Sequence, residues 1–317
     1  MPLLSVDNLS IGYQTRQGII KSVESVSFSL EQGKSLGFVG ESGCGKTTIG
    51  MALMRLLPDN AAITKGQILL NGRDLLKISE EEMRQIRWKK IAMIFQAAMN
   101  ALNPVHRVGE QIIEAILTHN PNISKASASN QVENLFRMVG IPTGRLGDFP
   151  HNFSGGMKQR AVIAMALVCN PELLIADEPT TALDVIVQSQ ILKAIKELQK
   201  EFEISLIFIS HDIAVVADVC DDINIMYAGQ VIETGTREEV FTAPMHPYTK
   251  ELLASYLSLD GKTIQPIPYS GETVDLIQPP PGCRFCERCP IAIADCRLVQ
   301  PEWIEISPTH RVFCDQC

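Results

Sequence analysis

Eight residues, GESGCGKT (Gly40–Thr47), follow the apolar run SLGFV and precede TIGMALMRLL, whose apolar residues recur as on a helix. The pattern is G-x-x-x-x-G-K-[ST], in the strand-then-helix context that a phosphate-binding loop requires. Gly40, Gly43 and Gly45, with Glu41, Ser42 and Cys44 between them, let successive backbone N–H groups turn toward one anion, where a Cβ would intrude. Lys46 supplies a point charge for β- and γ-phosphates and Thr47 a hydroxyl for magnesium, with Thr48 leading into the helix. Cys44 reads as a small residue facing solvent or ligand, not as a catalytic thiol. Further along, LLIADE (Leu173–Glu178) places two carboxylates at the end of an apolar strand. Asp177 can hold the magnesium shell, and Glu178 can orient and deprotonate an attacking water.

These residues need a scaffold, and the flanking patterns describe one. LLSVDNLSIGY and VESVSFSLEQG alternate polar and apolar residues as half-buried strands do. ELLIADEP and ISLIFISHD are short apolar strands, and Val187, Ile191, Ile195 and Leu198 between them form one apolar helical face. From about Gln96 to Cys169 the chain reads as mainly helical, with loops expected at Asn120–Ser129 and Gly140–Pro150. Alternating strands and helices predict an α/β fold with a parallel sheet covered on both faces.

The whole chain has 317 residues, a net charge of −8 and 45% hydrophobic residues, as a globular protein with a real core should. The acidic balance argues against a nucleic-acid partner. Neither a secretion signal nor an apolar run of about 18 residues is present, so the expected compartment is the reducing cytosol. Of nine cysteines, Cys283, Cys286, Cys289, Cys296, Cys314 and Cys317 crowd the end of the chain. Such clustering suggests a metal before disulfides.

NFSGGMKQR (Asn152–Arg160), placed just before LLIADEPTTALD, resembles the signature loop of ATP-binding cassette (ABC) ATPases. Ser154, Gly155 and Gly156 open a helix, so their N–H groups and its dipole make an anion site. The resemblance implies a P-loop NTPase with a RecA-like core, an antiparallel β subdomain and a helical subdomain over about 97–168. It assigns 1–255 to the nucleotide-binding domain. It implies that Tyr13 stacks on adenine, that Gln96 senses magnesium and contacts a membrane partner, and that His211 contacts the γ-phosphate. Ser154, Gly155, Gly156 and Met157 would act on the γ-phosphate of a second cassette, with Asp184 in a loop crossing the dimer interface. Magnesium would then be shared by Thr47, Gln96 and Asp177.

HPYTKELLAS (His246–Ser255) and the later GC-x5-C-x6-C pattern are similar to the branch that imports oligopeptides, dipeptides or nickel. That likeness makes 256–317 a cysteine-rich extension. It implies a [4Fe–4S] cluster on Cys283, Cys289, Cys296 and Cys314, with Cys286 as a further candidate. Zinc is the alternative, since C-x2-C-x2-C also fits that metal. The implied function is ATP-driven peptide import at the cytoplasmic face of a membrane. The implied partners are two permease subunits, a paralogous cassette as heterodimer partner and, indirectly, an extracytoplasmic binding protein. A nickel or metallophore importer is the alternative substrate class, and a soluble non-transport cassette ATPase a more distant one. Because the extension follows the complete cassette, ATP binding is expected largely to survive replacement of these cysteines.

Overall fold

The computed structural model describes residues 1–96, 101–181, 183–257 and 274–317. The AAMN stretch after Gln96, at the expected start of the helical subdomain, lies outside the described residues, as do Ala182 of TALD and residues 258–273 of the extension. The chain divides into two compact units. One comprises Met1–Leu30, Ser35–Leu76 and Ile209–Cys317; the other comprises Glu31–Lys34 and Lys77–Phe208.

In the first unit, strand Leu4–Gln14 runs antiparallel to Ile19–Leu30 on one side and to Ala61–Leu70 on the other. The expected period of two is realised from Ser25 onward: Val26, Phe28 and Leu30 are buried while Ser25, Ser27 and Ser29 face out. A second sheet begins with Ser35–Val39, buried along its whole length, parallel to Asp222–Tyr227. It continues antiparallel through Gln230–Thr236 and Arg311–Phe313 to Trp303–Glu305. The last two strands come from the cysteine-rich extension, which therefore adds an edge to this sheet.

Side chains lock that edge in place. Glu233 is fully buried, accepts the N–H groups of Met245 and His246 at 2.8 and 2.9 Å, and pairs with His310 Nε2 at 2.8 Å. A carboxylate held this way loses its water shell but meets three donors in exchange. Phe285 is buried edge-on against Tyr227 and Tyr248, with ring centroids 5.2 and 5.6 Å away. Arg284 reaches the carbonyl of Ala228 and the carboxylate of Glu24. The extension is thus packed into this unit by its side chains as well as by its strands.

In the second unit, Ile91–Ile94 pairs in parallel with Leu173–Asp177, and the strand starting at Ser205 lies beside the latter. Helices Val108–His119, Lys125–Met138, Gly155–Leu167 and Val185–Glu201 accompany them. Part of the loop expected at Asn120–Ser129 is helix from Lys125 onward. Ser124 caps it by accepting the Ser127 N–H at 3.2 Å, and Ala128, Val132, Leu135 and Phe136 bury one stripe. The polar letters of KASASN hid that stripe's first turn. Ile191, Ile195 and Leu198 are buried as the apolar face required, and Val187 is half-buried against Gly156.

Candidate functional site

Strand Ser35–Val39 delivers the chain to Gly40, and helix Lys46–Leu53 receives it after Gly45. A Cβ on Gly40 would lie 2.1 Å from the Met226 carbonyl oxygen. One on Gly45, where φ is +104°, would lie 2.3 Å from the Ser22 carbonyl oxygen. The loop is thus pressed between the strands that carry Ser22 and Met226, and only glycine allows the approach. Lys46 is buried with its ammonium inside the loop, donating to the carbonyls of Gly40 and Glu41 at 2.7 and 2.8 Å. Cys44, expected to face solvent or ligand, is instead buried, its sulfur 3.5 Å from the Lys46 Nζ. Burial pushes its thiol pKa up, with Lys46 opposing. A protonated, buried thiol is a filler here, not a nucleophile.

Thr47 is exposed at the helix start, whereas Thr48 is buried and meets Ser22 Oγ at 3.1 Å and the Tyr13 hydroxyl at 3.3 Å. That contact sets the Tyr13 ring beside the first turn of the helix. Ser42 and Gly43 are exposed at the loop's tip. A cavity of about 260 Å³ lies against Glu41, Ser42, Gly43 and Cys44, and Val274 and Leu276 of the extension form part of its wall. His211 is exposed one residue beyond strand Ser205–Ser210, where Asp212 caps the next helix by accepting the Ala214 N–H at 2.9 Å.

In the other unit Asp177 ends its strand in a buried position. Glu178 turns away from it in a left-handed conformation, φ +45°, that non-glycine residues seldom adopt. Its Oε2 accepts from Gln96 Nε2 at 3.0 Å and from Thr181 Oγ1 at 2.9 Å. Ser154 caps helix Gly155–Leu167 by accepting the Met157 N–H at 3.3 Å, which leaves the glycines in its first turn. Gly156 packs under Val187, since a Cβ there would meet Val187 Cγ1 at 2.6 Å. Asp184 caps helix Val185–Glu201 through the Val187 N–H at 2.9 Å, so it fixes a helix start besides any role across an interface. Val185 and Ile186, directly after it, are 82% and 72% exposed.

The first unit thus carries Tyr13, the loop and His211, and the second carries Gln96, Asp177, Glu178, the signature residues and Asp184. Three participants were missed in the sequence. Thr181 holds Glu178, Tyr248 accepts the Glu41 N–H at 3.0 Å, and Arg288 grips the Glu41 carboxylate at 2.8 and 3.1 Å. Tyr248 lay inside HPYT, an element noticed only as a whole.

Cys283, Cys286, Cys289, Cys296 and Cys314 line one cavity of about 20 Å³ with His246 and Phe285. Burial pushes the Cys283 thiol up to about 12 and raises Cys286 and Cys289, while a hydrogen bond from Cys317 lowers Cys314 to about 7. Five of the six terminal cysteines thus line one small cavity. Among the described residues, however, no three His, Cys, Asp or Glu side chains converge as ligands of a metal ion.

Residues 23–181 match the family described as ABC transporter. The chain belongs to the ABC transporter family. Residues 232–296 match a second description, the C-terminal region of oligopeptide/dipeptide transporters. The chain is 48% identical to the dipeptide transport ATP-binding protein of Bacillus subtilis, over 98% of this chain and 94% of that one. It is 47% identical to the oligopeptide transport ATP-binding protein of the same organism, over 98% and 87% of the two chains. Among solved structures it is similar to a dimeric ATP-binding cassette in a post-hydrolysis state with ADP and Pi. That likeness has a TM-score of 0.66 at 25% identity and covers 74% of this chain and 98% of the other. This ABC protein hydrolyses ATP.

Charge-assisted hydrogen bonds of the kind Lys46 offers a phosphate contribute about 1.5–3 kcal/mol each. Lys46→Ala should therefore weaken ATP binding by about 10- to 100-fold, measured by equilibrium titration of the purified chain. Unchanged affinity would remove the loop from the nucleotide site.

Proposed function

We propose that this chain is the ATPase subunit that powers import of di- and oligopeptides through a membrane permease. The observation that carries the reading is the coexistence of a glycine-pressed phosphate loop with an extension of the oligopeptide/dipeptide transporter kind in one chain. The names of the relatives favour peptides over nickel or a metallophore.

Each residue then has a task. The loop N–H groups and Lys46 hold the β- and γ-phosphates, and the Tyr13 ring supports the adenine. The hydroxyl of Thr47, the carboxylate of Asp177 and the amide of Gln96 are hard oxygen donors suited to magnesium, which supplies charge neutralisation on the phosphates when bound. Glu178 orients a water and takes its proton as the water oxygen bonds to the γ-phosphorus. The bond from that phosphorus to the β–γ bridging oxygen breaks, releasing ADP and phosphate. Gln96 and Thr181 aim the Glu178 carboxylate for this step. His211 donates to the γ-phosphate oxygens.

The signature turn Ser154–Met157 offers its N–H groups to the γ-phosphate of a second cassette, a paralogue in this reading. The exposed Val185 and Ile186 beside Asp184 supply apolar surface for that dimer. Gln96 and the helices after it would pass the motion to two permease subunits, with an extracytoplasmic binding protein acting through them. Among the described residues no helix is long and apolar enough to cross a membrane, and this reading places the chain peripherally at the cytoplasmic face.

A finer reading is that the cavity of five thiols takes a [4Fe–4S] cluster on Cys283, Cys289, Cys296 and Cys314. The support is their shared cavity and their clustering in sequence. Because burial keeps the Cys283 and Cys289 thiols protonated, binding would release protons and weaken as pH falls.

Glu178→Gln should lower ATP turnover in the assembled transporter by about 10²- to 10⁴-fold while retaining ATP and the closed dimer. Turnover at the wild-type rate would contradict the role of Glu178. Anaerobically purified protein should be brown with about four irons per chain. Serine at Cys283, Cys289, Cys296 or Cys314 should bleach it, whereas serine at Cys286 or Cys317 should not. Colourless protein, or protein with one zinc, would overturn the iron reading.

A further inference from the structure

A loop built to receive a polyphosphate carries one carboxylate of its own, Glu41 in GESGCGKT. Left alone, that charge would repel the ligand, because charges in a partly desolvated loop are screened weakly. The structure meets it with a cation from the extension. Arg288, between Cys286 and Cys289, places one Nη1 on both Glu41 oxygens at 2.8 and 3.1 Å. The guanidinium is itself confined. Its Nη2 reaches Glu251 at 3.4 Å, and its carbon lies over the rings of Tyr227 and Phe285 at 5.5 and 5.7 Å. Its side chain is 11% exposed, against 38% for that of Glu41.

The backbone of Glu41 is held at the same place. Its N–H goes to the buried Tyr248 hydroxyl at 3.0 Å, and its carbonyl accepts from Lys46 at 2.8 Å. Every polar group of this residue is thereby turned to a fixed partner. Two of those partners, Tyr248 and Arg288, lie far along the chain, beyond strand Gln230–Thr236.

We propose that Arg288 is a positioning residue for ATP binding: it cancels the Glu41 charge and holds it away from the phosphates. The extension thus completes the electrostatics of the phosphate loop. Nucleotide affinity depends on a residue set between two cysteines of the thiol cavity. The proposal presupposes only that the loop binds ATP, not that the cavity holds a cluster.

Two roles make opposite predictions for Glu41. If Arg288 merely pins the extension, removing either partner loosens the same contact and weakens ATP binding alike. If it cancels a charge, Arg288→Ala weakens ATP binding, while Glu41→Gln, which removes the repelling charge and keeps the arginine, strengthens it. The test is the Kd for magnesium ATP of the full-length chain at low and high salt. Thermal unfolding of each variant is followed in parallel. Expected are about tenfold weaker binding for Arg288→Ala and about two- to threefold tighter binding for Glu41→Gln. The double variant should return to within about threefold of the original. The Arg288→Ala defect should shrink at high salt, as an exposed charge becomes screened.

Unchanged affinity in Arg288→Ala would overturn the proposal. So would an equal loss in Glu41→Gln with no recovery in the double variant. Should Arg288→Ala fail to fold, Arg288→Lys and Arg288→Gln decide instead. Lysine keeps the charge and should bind ATP within about threefold of the original; glutamine should not. Equal affinities of those two variants would again overturn it.

Discussion

Two carbonyl oxygens, of Met226 and Ser22, lie 2.1 and 2.3 Å from where a Cβ would stand on Gly40 and Gly45. The phosphate loop exists in this shape because the strands bearing those carbonyls press on it from both sides. A side chain at Gly40 would push the loop away from the strand of Met226, and one at Gly45 away from the strand of Ser22, disturbing the convergence of its N–H groups. The register of Ile19–Leu30 and Asp222–Tyr227 therefore sets the geometry of the anion cradle, and whatever holds those strands holds the cradle too.

Much of what holds them comes from the end of the chain. Arg284 ties the Glu24 side chain on one strand to the Ala228 carbonyl just past the other. Phe285 closes the aromatic cluster with Tyr227 and Tyr248, and the His310–Glu233 pair fastens the added hairpin to the neighbouring strand. Buried ion pairs and aromatic contacts of this kind are costly to break singly, because each leaves a partner without compensation. The cysteine-rich extension is, in this unit, part of the structure that gives the loop its shape. The ABC fold elsewhere in the chain follows the ordinary logic of buried parallel strands ending in functional residues.

The local chemistry was legible in the sequence because it is written in contiguous letters. GESGCGKT, LLIADE and the signature turn each pair a backbone conformation with residue types that need it, and the structure builds those strands and helices as expected. The helix beginning at Lys125 was missed because its capping serine and small residues look like a loop until burial of Ala128 and Val132 is seen. The partners of Glu41 were missed for a different reason. Arg288 lies 247 residues away, and no periodicity or spacing rule links two side chains that meet only through tertiary packing. Thr181 on Glu178 was missed for a local reason: the two are only three residues apart, but the turn that brings them together includes the unusual positive φ of Glu178. The thiols were legible as a cluster, and their common cavity agrees, but spacing alone could not fix which sulfurs would point where.

The central claim is that the phosphate loop and the cysteine-rich extension form one cooperative unit. Hydrogen–deuterium exchange of the full-length chain, with and without saturating magnesium ATP, tests it most directly. A ligand at 100 times its Kd stabilises the state that binds it by about 2.7 kcal/mol, which slows exchange through opening of that unit by about 100-fold. The account predicts that ATP slows exchange at residues 283–290 and 310–313 together with residues 40–47. Slowing confined to 40–47, with the extension exchanging as before, would contradict it.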